Sequence, residues 1–279
     1  LWRLYLVVGG MPAAVQRFLD THDIAAVMAE QRQILVEYRK DITKYDEQNS
    51  LRIREVFDRL APELNKKNKR FYVNSIKEGE RAERLEDEFV WLKEAGVALP
   101  AYVADEPVVP LTLSRKSNLF KLFMNDVGLL SATYMDGIQL RILNGETDIN
   151  FGSVYENAIA QEFAAHGFPL FYYSSREHGE VDFIVERMGK VLPVEVKSGK
   201  HYQRHRALNR MMGVPDYAIP EAVVFDDAAH KVESGIHYAP VYMAMFLERE
   251  TLPEKMPYEI GNPICFSGIR GGTGLREAL

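Results

Sequence analysis

Asp182, Glu195 and Lys197 are the residues whose types and spacing can do chemistry. They stand in two short runs, Gly179-Glu180-Val181-Asp182-Phe183-Ile184-Val185-Glu186 and Val191-Leu192-Pro193-Val194-Glu195-Val196-Lys197-Ser198-Gly199. Two carboxylates held side by side repel each other by roughly 0.2–1 kcal/mol when they face across strands. A positive charge between them removes that cost, and a hard divalent cation with oxygen ligands is the natural occupant. The backbone carbonyl of Val196 adds an oxygen, and Lys197 can polarise a water or neutralise an attacked phosphate. This is the layout that metal-assisted phosphodiester hydrolysis requires.

The elements that must position these groups are two strands and a turn. Both runs alternate with period two and are rich in β-branched and aromatic residues. Arg187-Met188-Gly189-Lys190 closes them as a hairpin with Met188-Gly189 at its tip. That turn sets Val181 against Val196, Phe183 against Val194 and Val185 against Leu192, which builds one apolar face. On the other face Asp182 falls opposite Glu195, and Glu180 opposite Lys197. A slip of one residue would set carboxylates against valines, so the pattern favours this register. A half-exposed hairpin with solvated acids is the plain alternative.

The pattern GEVDF…PVEVKSG resembles the active-site hairpin of the PD-(D/E)xK, or restriction-endonuclease-like, superfamily. The resemblance implies catalytic roles for Asp182, Glu195 and Lys197, with Mg²⁺ or Mn²⁺ held by Asp182, Glu195 and the Val196 carbonyl. Val181 stands where the motif's name has Pro. Glu156, ahead of the first strand, is the accessory metal acid that the resemblance allows; its other reading is a helix N-terminal acid favoured by the dipole.

The 279 residues, 47% hydrophobic and 27% charged, suit a soluble globular protein with two or three modest cores. The net charge of −6 supplies no global basic field, so any nucleic-acid surface is local. A single cysteine, Cys265, excludes an internal disulfide framework and fits a reducing cytoplasm. No apolar run reaches 18 residues, and Leu1–Val8 is too short to span a membrane.

Taken in order, the chain is expected to form four parts. Residues 1–49 open with a strand, Leu4–Val8, broken by Gly9-Gly10-Met11-Pro12. Helices over Ala13–Asp20 and from about Asp23 to Tyr38 follow. Residues 50–114 read as a winged-helix-like domain: a helix capped by Ser50 and ended by Pro62 and the basic run to Arg70, a short extended Phe71–Val73, a helix Arg81–Ala95 stopped by Gly96, and a wing of Val97–Val103 with Val108–Leu113. The recognition helix carries more acids than bases, which suits a protein contact better than a phosphate backbone. Residues 115–250 are the nuclease-like core. Lys116–Leu130 is a buried strand or short helix and Gly145–Asn150 a loop. Then come a helix Val154–His166, a strand Phe168–Tyr173, the hairpin, a basic helix, a strand Glu221–Asp226, and Val241–Leu247 as helix or strand. The fold class is thus α/β (α+β), with an α-β-β-β-α-β core. Lys200, Arg204, Arg206 and Arg210 of the basic helix, which also holds His201 and His205, are the candidate phosphate contacts. Residues 251–279 are a peripheral tail.

Tyr5–Val15 (with Gly9-Gly10-Met11-Pro12), Tyr38-Arg39-Lys40-Asp41-Ile42, Phe120–Leu130 and the hairpin together are similar to one family. It is the prokaryotic AAA-superfamily ATPases that end in a domain of unknown function with a nuclease-like fold. The resemblance implies an ATP-binding P-loop module upstream, because no G-x-x-x-x-G-K-[ST] occurs in this chain. It therefore reads as the C-terminal part of such a protein, with ATP bound in the upstream module. The function expected is an Mg²⁺-dependent, DNA-processing nuclease domain. The alternative is a catalytically inactive nuclease-fold module that binds DNA or protein and regulates the ATPase.

Overall fold

The computed structural model describes residues 1–45, 50–66, 86–146, 151–198, 205–227 and 229–249. The chain divides into two compact units, Leu1–Val103 with Lys116–Gln161, and Ala104–Arg115 with Glu162–Leu279.

The first unit begins with helix α1 (Trp2–Val8), where the sequence suggests a strand. A short run that is apolar on every side carries no periodicity to choose between the two. Packing makes the choice. A helix end leaves carbonyls without partners, and here Gln31 Nε2 donates to the carbonyls of Val7 and Val8 at 2.8 and 3.0 Å. Ser131 Oγ donates to Leu6 O at 2.6 Å. Gly9 caps the helix at φ +71, and a Cβ there would lie 2.2 Å from Asp126 Oδ1, so only glycine fits. Helix α2 (Pro12–Thr21) starts on its proline, whose missing N–H a first-turn position does not need. Helix α3 (Ile24–Tyr45) runs a full two turns beyond the expected Tyr38, because Ile42, wholly buried, continues its apolar stripe.

Helix α4 (Ser50–Leu64) buries Ile53, Val56, Phe57 and Leu60 as its spacing demands, with Ser50 inside the helix and Pro62 in its last turn. Helix α5 (Glu86–Glu94) precedes Gly96 at φ +67. Strand β1 (Ala98–Ala104) then neighbours β2 (Arg115–Met124). The second strand expected of a wing is corrected. Val108–Leu113 forms no strand, since Pro107 precedes it, Pro110 interrupts it and neither can donate to a ladder; Leu111–Ser114 is a 3-10 turn. Among the described residues, 50–114 holds two helices and one strand. The extended Phe71–Val73 and the start of the recognition helix lie outside them. Beyond β2 the chain turns into helix α6 (Val127–Ala132), capped by Asp126, whose Oδ1 accepts from Leu129 N at 2.8 Å. Helices α7 (Ile138–Asn144) and α8 (Gly152–Ala165) follow.

The second unit is built on strands β3 (Phe171–Ser175), β4 (Gly179–Arg187), β5 (Lys190–Val196), β6 (Ala222–Asp226), β7 (Lys231–Glu233) and β8 (Ile236–Pro240). They lie in the order β3-β4-β5-β6-β8-β7. β4 runs antiparallel to both β3 and β5, and β6 runs parallel to both β5 and β8. Helix α9 (Arg206–Met212) joins β5 to β6. The chain order from α8 to β6 is therefore α-β-β-β-α-β, extended by the β7–β8 hairpin, and the class is mixed α/β. Val241–Phe246 is a 3-10 turn rather than a full helix or strand.

The hairpin has the expected register, with Phe183 opposite Val194, Val185 opposite Leu192 and Arg187 opposite Lys190. Met188 and Gly189 both sit at positive φ, as a two-residue hairpin turn requires. Its second face is less polar than the alternation implies. Ile184, Val191 and Pro193 share it with Asp182 and Glu195, and all three are buried. On the first face Phe163 meets Phe183 edge-on at 5.7 Å; burying a phenylalanine contributes roughly 1.5–3 kcal/mol.

Candidate functional site

The ladder between β4 and β5 runs as far as Phe183 and Val194 and then gives way to side chains. The continuing register would place Val181 beside Val196. There the Val196 N–H donates instead to Asp182 Oδ2, at 2.9 Å. One residue on, Lys197 N donates to Phe225 O of β6 at 2.8 Å, which pins the end of β5 from its other side. Asp182, Val196 and Lys197 are thus fixed by backbone bonds.

Glu195 is 3% exposed, and its Oε2 lies 2.5 Å from Lys197 Nζ. Burial pushes its carboxyl up to about 8, with the Asp182 charge adding to the rise. Lys197 opposes the rise by charge and hydrogen bond, while a hydrogen bond with the Asp182 carboxyl raises it further. The two acids are therefore in contact, as the sequence implies. At neutral pH the pair retains a proton on Glu195. Lifting the value from 4.5 to about 8 opposes ionisation by roughly 5 kcal/mol at about 1.4 kcal/mol per unit. Most of that cost comes from burial, and the Asp182 charge adds the smaller part.

A divalent ion fits part of this arrangement. The Asp182 and Glu195 carboxyls already share a hydrogen bond, which a cation would replace once Glu195 loses its proton, and two carboxylates suffice for Mg²⁺, which keeps several waters. Among the described residues, no group of three or more His, Cys, Asp or Glu gathers as a metal cluster. Glu156 is buried on α8 in the first unit. It lies past the first turn, which holds no acid, so the dipole does not explain it.

Of the expected phosphate contacts, Lys200 and Arg204 lie outside the described residues, as does His201. Arg206 and Arg210 are exposed one turn apart on α9, and Arg210 Nη1 donates to Glu177 O at 3.3 Å. His205, grouped with the basic helix by sequence, lies in the interior. It is buried at the start of α9, with Nδ1 2.8 Å from Asn209 Oδ1 and Nε2 2.7 Å from the Tyr238 hydroxyl. This pair floors an open cavity of about 610 Å³ that also reaches Ser234 and Met212. The sequence carries no signal for it, since β8 was not anticipated.

A second cluster also escapes the sequence. The Tyr173 hydroxyl lies 2.8 Å from His178 Nδ1 and 3.4 Å from the Tyr217 hydroxyl. Burial pushes the Tyr217 phenol up, followed by the neighbouring Tyr173 and the charges of Glu106 and Glu177. Helix α9 approaches here because Gly179 leaves room; a Cβ on it would meet Ala207 at 3.2 Å.

No helix among the described residues is long and apolar enough to cross a membrane. Residues 1–140 match a family described as a domain of unknown function (DUF8612). Residues 151–243, which contain Asp182, Glu195 and Lys197, match a second domain of unknown function (DUF4143), one found in AAA-ATPase-associated proteins. No curated protein and no solved structure matches the chain.

Proposed function

For a chain that belongs to the DUF8612 family and continues into DUF4143, we propose metal-dependent phosphodiester hydrolysis at the open end of the β4–β5 hairpin. The substrate class is DNA, and the fold around the hairpin is of the restriction-endonuclease-like kind. The observation that carries this reading is the burial of Glu195 beside Asp182, two acids at one site with Lys197 as their cation. Asp182, Glu195 and the Val196 carbonyl would hold Mg²⁺ or Mn²⁺. Such an ion, when bound, supplies Lewis acidity at a phosphoryl oxygen and lowers the pKa of its water. Val196 N–H orients Asp182. Lys197, released from Glu195, holds its charge toward the scissile phosphate. Exposed Arg206 and Arg210 meet neighbouring phosphates. The DUF4143 match supports coupling to an ATPase, whose ATP would be bound outside these residues.

Calorimetry with Mn²⁺ or Mg²⁺, followed by plasmid cleavage on the same samples, tests this. We expect binding that disappears in Asp182→Ala/Glu195→Ala, and cleavage that disappears in Lys197→Ala. Absence of binding by the intact chain would sink the reading. A second reading is favoured by one fact: Lys197 Nζ already lies 2.5 Å from the Oε2 of a Glu195 that is shut away from solvent. In it the triad is a structural lock, and the module binds DNA or protein to regulate an ATPase without cutting.

A further inference from the structure

The first unit carries an open groove of about 430 Å³ between α3 and α4, lined among the described residues by Val36, Arg39, Lys40, Thr43, Lys44 and Arg54. Four of these six are cations and none is an acid, in a chain whose net charge is −6. On α3 they fall at successive turns of one face, so the stripe from Val36 to Lys44 is about 12 Å long at 1.5 Å per residue. Arg54 supplies the opposite wall, half-exposed and, among the described residues, without a hydrogen-bond or ion-pair partner. Two others hold only exposed acids: Arg39 lies 2.8 Å from Asp58 and Lys40 lies 2.9 Å from Glu37. Exposed pairs of this kind contribute about 0–1 kcal/mol, so a phosphate can displace them at little cost. Arg39 is further held over the Phe57 ring, 5.4 Å from its centroid, which fixes the direction of its guanidinium.

The acids paired with Arg39 and Lys40 are exposed, so the line of cations is open to an anion that displaces them. The groove is open and its cations are spread along a line. An enclosed single-phosphate site would instead converge on one point with buried donors. We propose that the α3–α4 groove binds the phosphodiester backbone of duplex nucleic acid, as a surface separate from the hairpin. The choice of nucleic acid among polyanions rests on the hydrolytic reading; the anion site itself does not. The contacts are to phosphate and carry no sequence preference.

The test is fluorescence anisotropy of a short labelled DNA duplex on the full chain, titrated between about 50 and 200 mM salt. Each neutralised phosphate adds about 0.9 to the log–log salt slope. Lys40→Glu/Lys44→Glu/Arg54→Glu should therefore flatten the slope by about 3 and weaken low-salt binding at least tenfold. Arg54→Ala, which removes no partner among the described residues, should flatten it by about 1. Circular dichroism on each variant confirms the fold. Asp182→Ala/Glu195→Ala should bind duplex as the parent does, so loss of hydrolysis and loss of the groove are read separately. No duplex binding by the intact chain overturns the proposal, and so does binding unaffected by the triple reversal. Groove-dependent binding of inorganic phosphate or ATP without the duplex overturns it too.

Discussion

Asp126 and Glu195 are both buried carboxylates, and burial raises the pKa of each. Their surroundings are opposite. Asp126 is ringed by donors: Gly10 N at 2.6 Å, Leu129 N at 2.8 Å, the Gly128 amide and the Gln161 side chain, every one of which favours its charge. Glu195 has one cationic partner and, against it, a second acid. A carboxylate kept for structure is given N–H groups. One set beside another carboxylate costs stability, and the hydrolytic reading gives that cost a purpose.

The largest effect expected from this contrast is at Asp126. Asp126→Ala leaves the Gly10 and Leu129 amides buried without their acceptor and uncaps α6, which should cost about 3–5 kcal/mol in urea unfolding. Asp126→Asn, which keeps an acceptor, should cost less.

Glu195 should behave in the reverse sense. Its folded value, about 8, lies above the ordinary 4.5, so the unfolded chain loses this proton first. Its contribution is therefore intact below pH about 4.5 and is lost as pH climbs toward 8. Glu195→Gln should raise stability by about 2–4 kcal/mol at pH near 9 and change it little at pH near 4. A variant no more stable than the parent at alkaline pH would remove the contrast. Millimolar Mg²⁺ should stabilise the parent under the same alkaline conditions, by about 2.7 kcal/mol at a hundredfold excess over Kd, and leave the Gln variant unmoved.

A smaller effect sharpens the first half of the comparison. Gly9→Ala places a methyl 2.2 Å from Asp126 Oδ1 at a φ of +71, and should cost about 1–3 kcal/mol by displacing the carboxylate from Gly10 N. Measured in the Asp126→Asn background, that cost should shrink, because the two sites share one contact.

The contrast also marks what a sequence can disclose. The β4–β5 register was legible because its determinants are local: period-two alternation and a turn with glycine at its tip. Asp182 and Glu195 followed from that register. The burial that lifts Glu195 was not legible, because it depends on the apolar Ile184, Val191 and Pro193 sharing its face and on what covers them. Helix α1 was misread since Leu4–Val8 has no periodicity, and the carbonyl partners that decide for a helix lie at Gln31 and Ser131. Pro107 and Pro110 did argue locally against a wing strand, and β2 bears them out. The cations of the α3–α4 groove belong to two helices, so only packing gathers them.

Gly10 and Asp126 are separated by 116 positions, and Leu6 and Ser131 by 125. This sets an order of events during synthesis. At about 5–20 residues per second, Asp126 and Ser131 leave the ribosome roughly 6–25 s after the end of α1. For that interval the Leu6 carbonyl and the Gly10 amide lack these partners, while Gln31, far nearer in sequence, already serves Val7 and Val8. Helix α1 is thus locked only once α6 has been made.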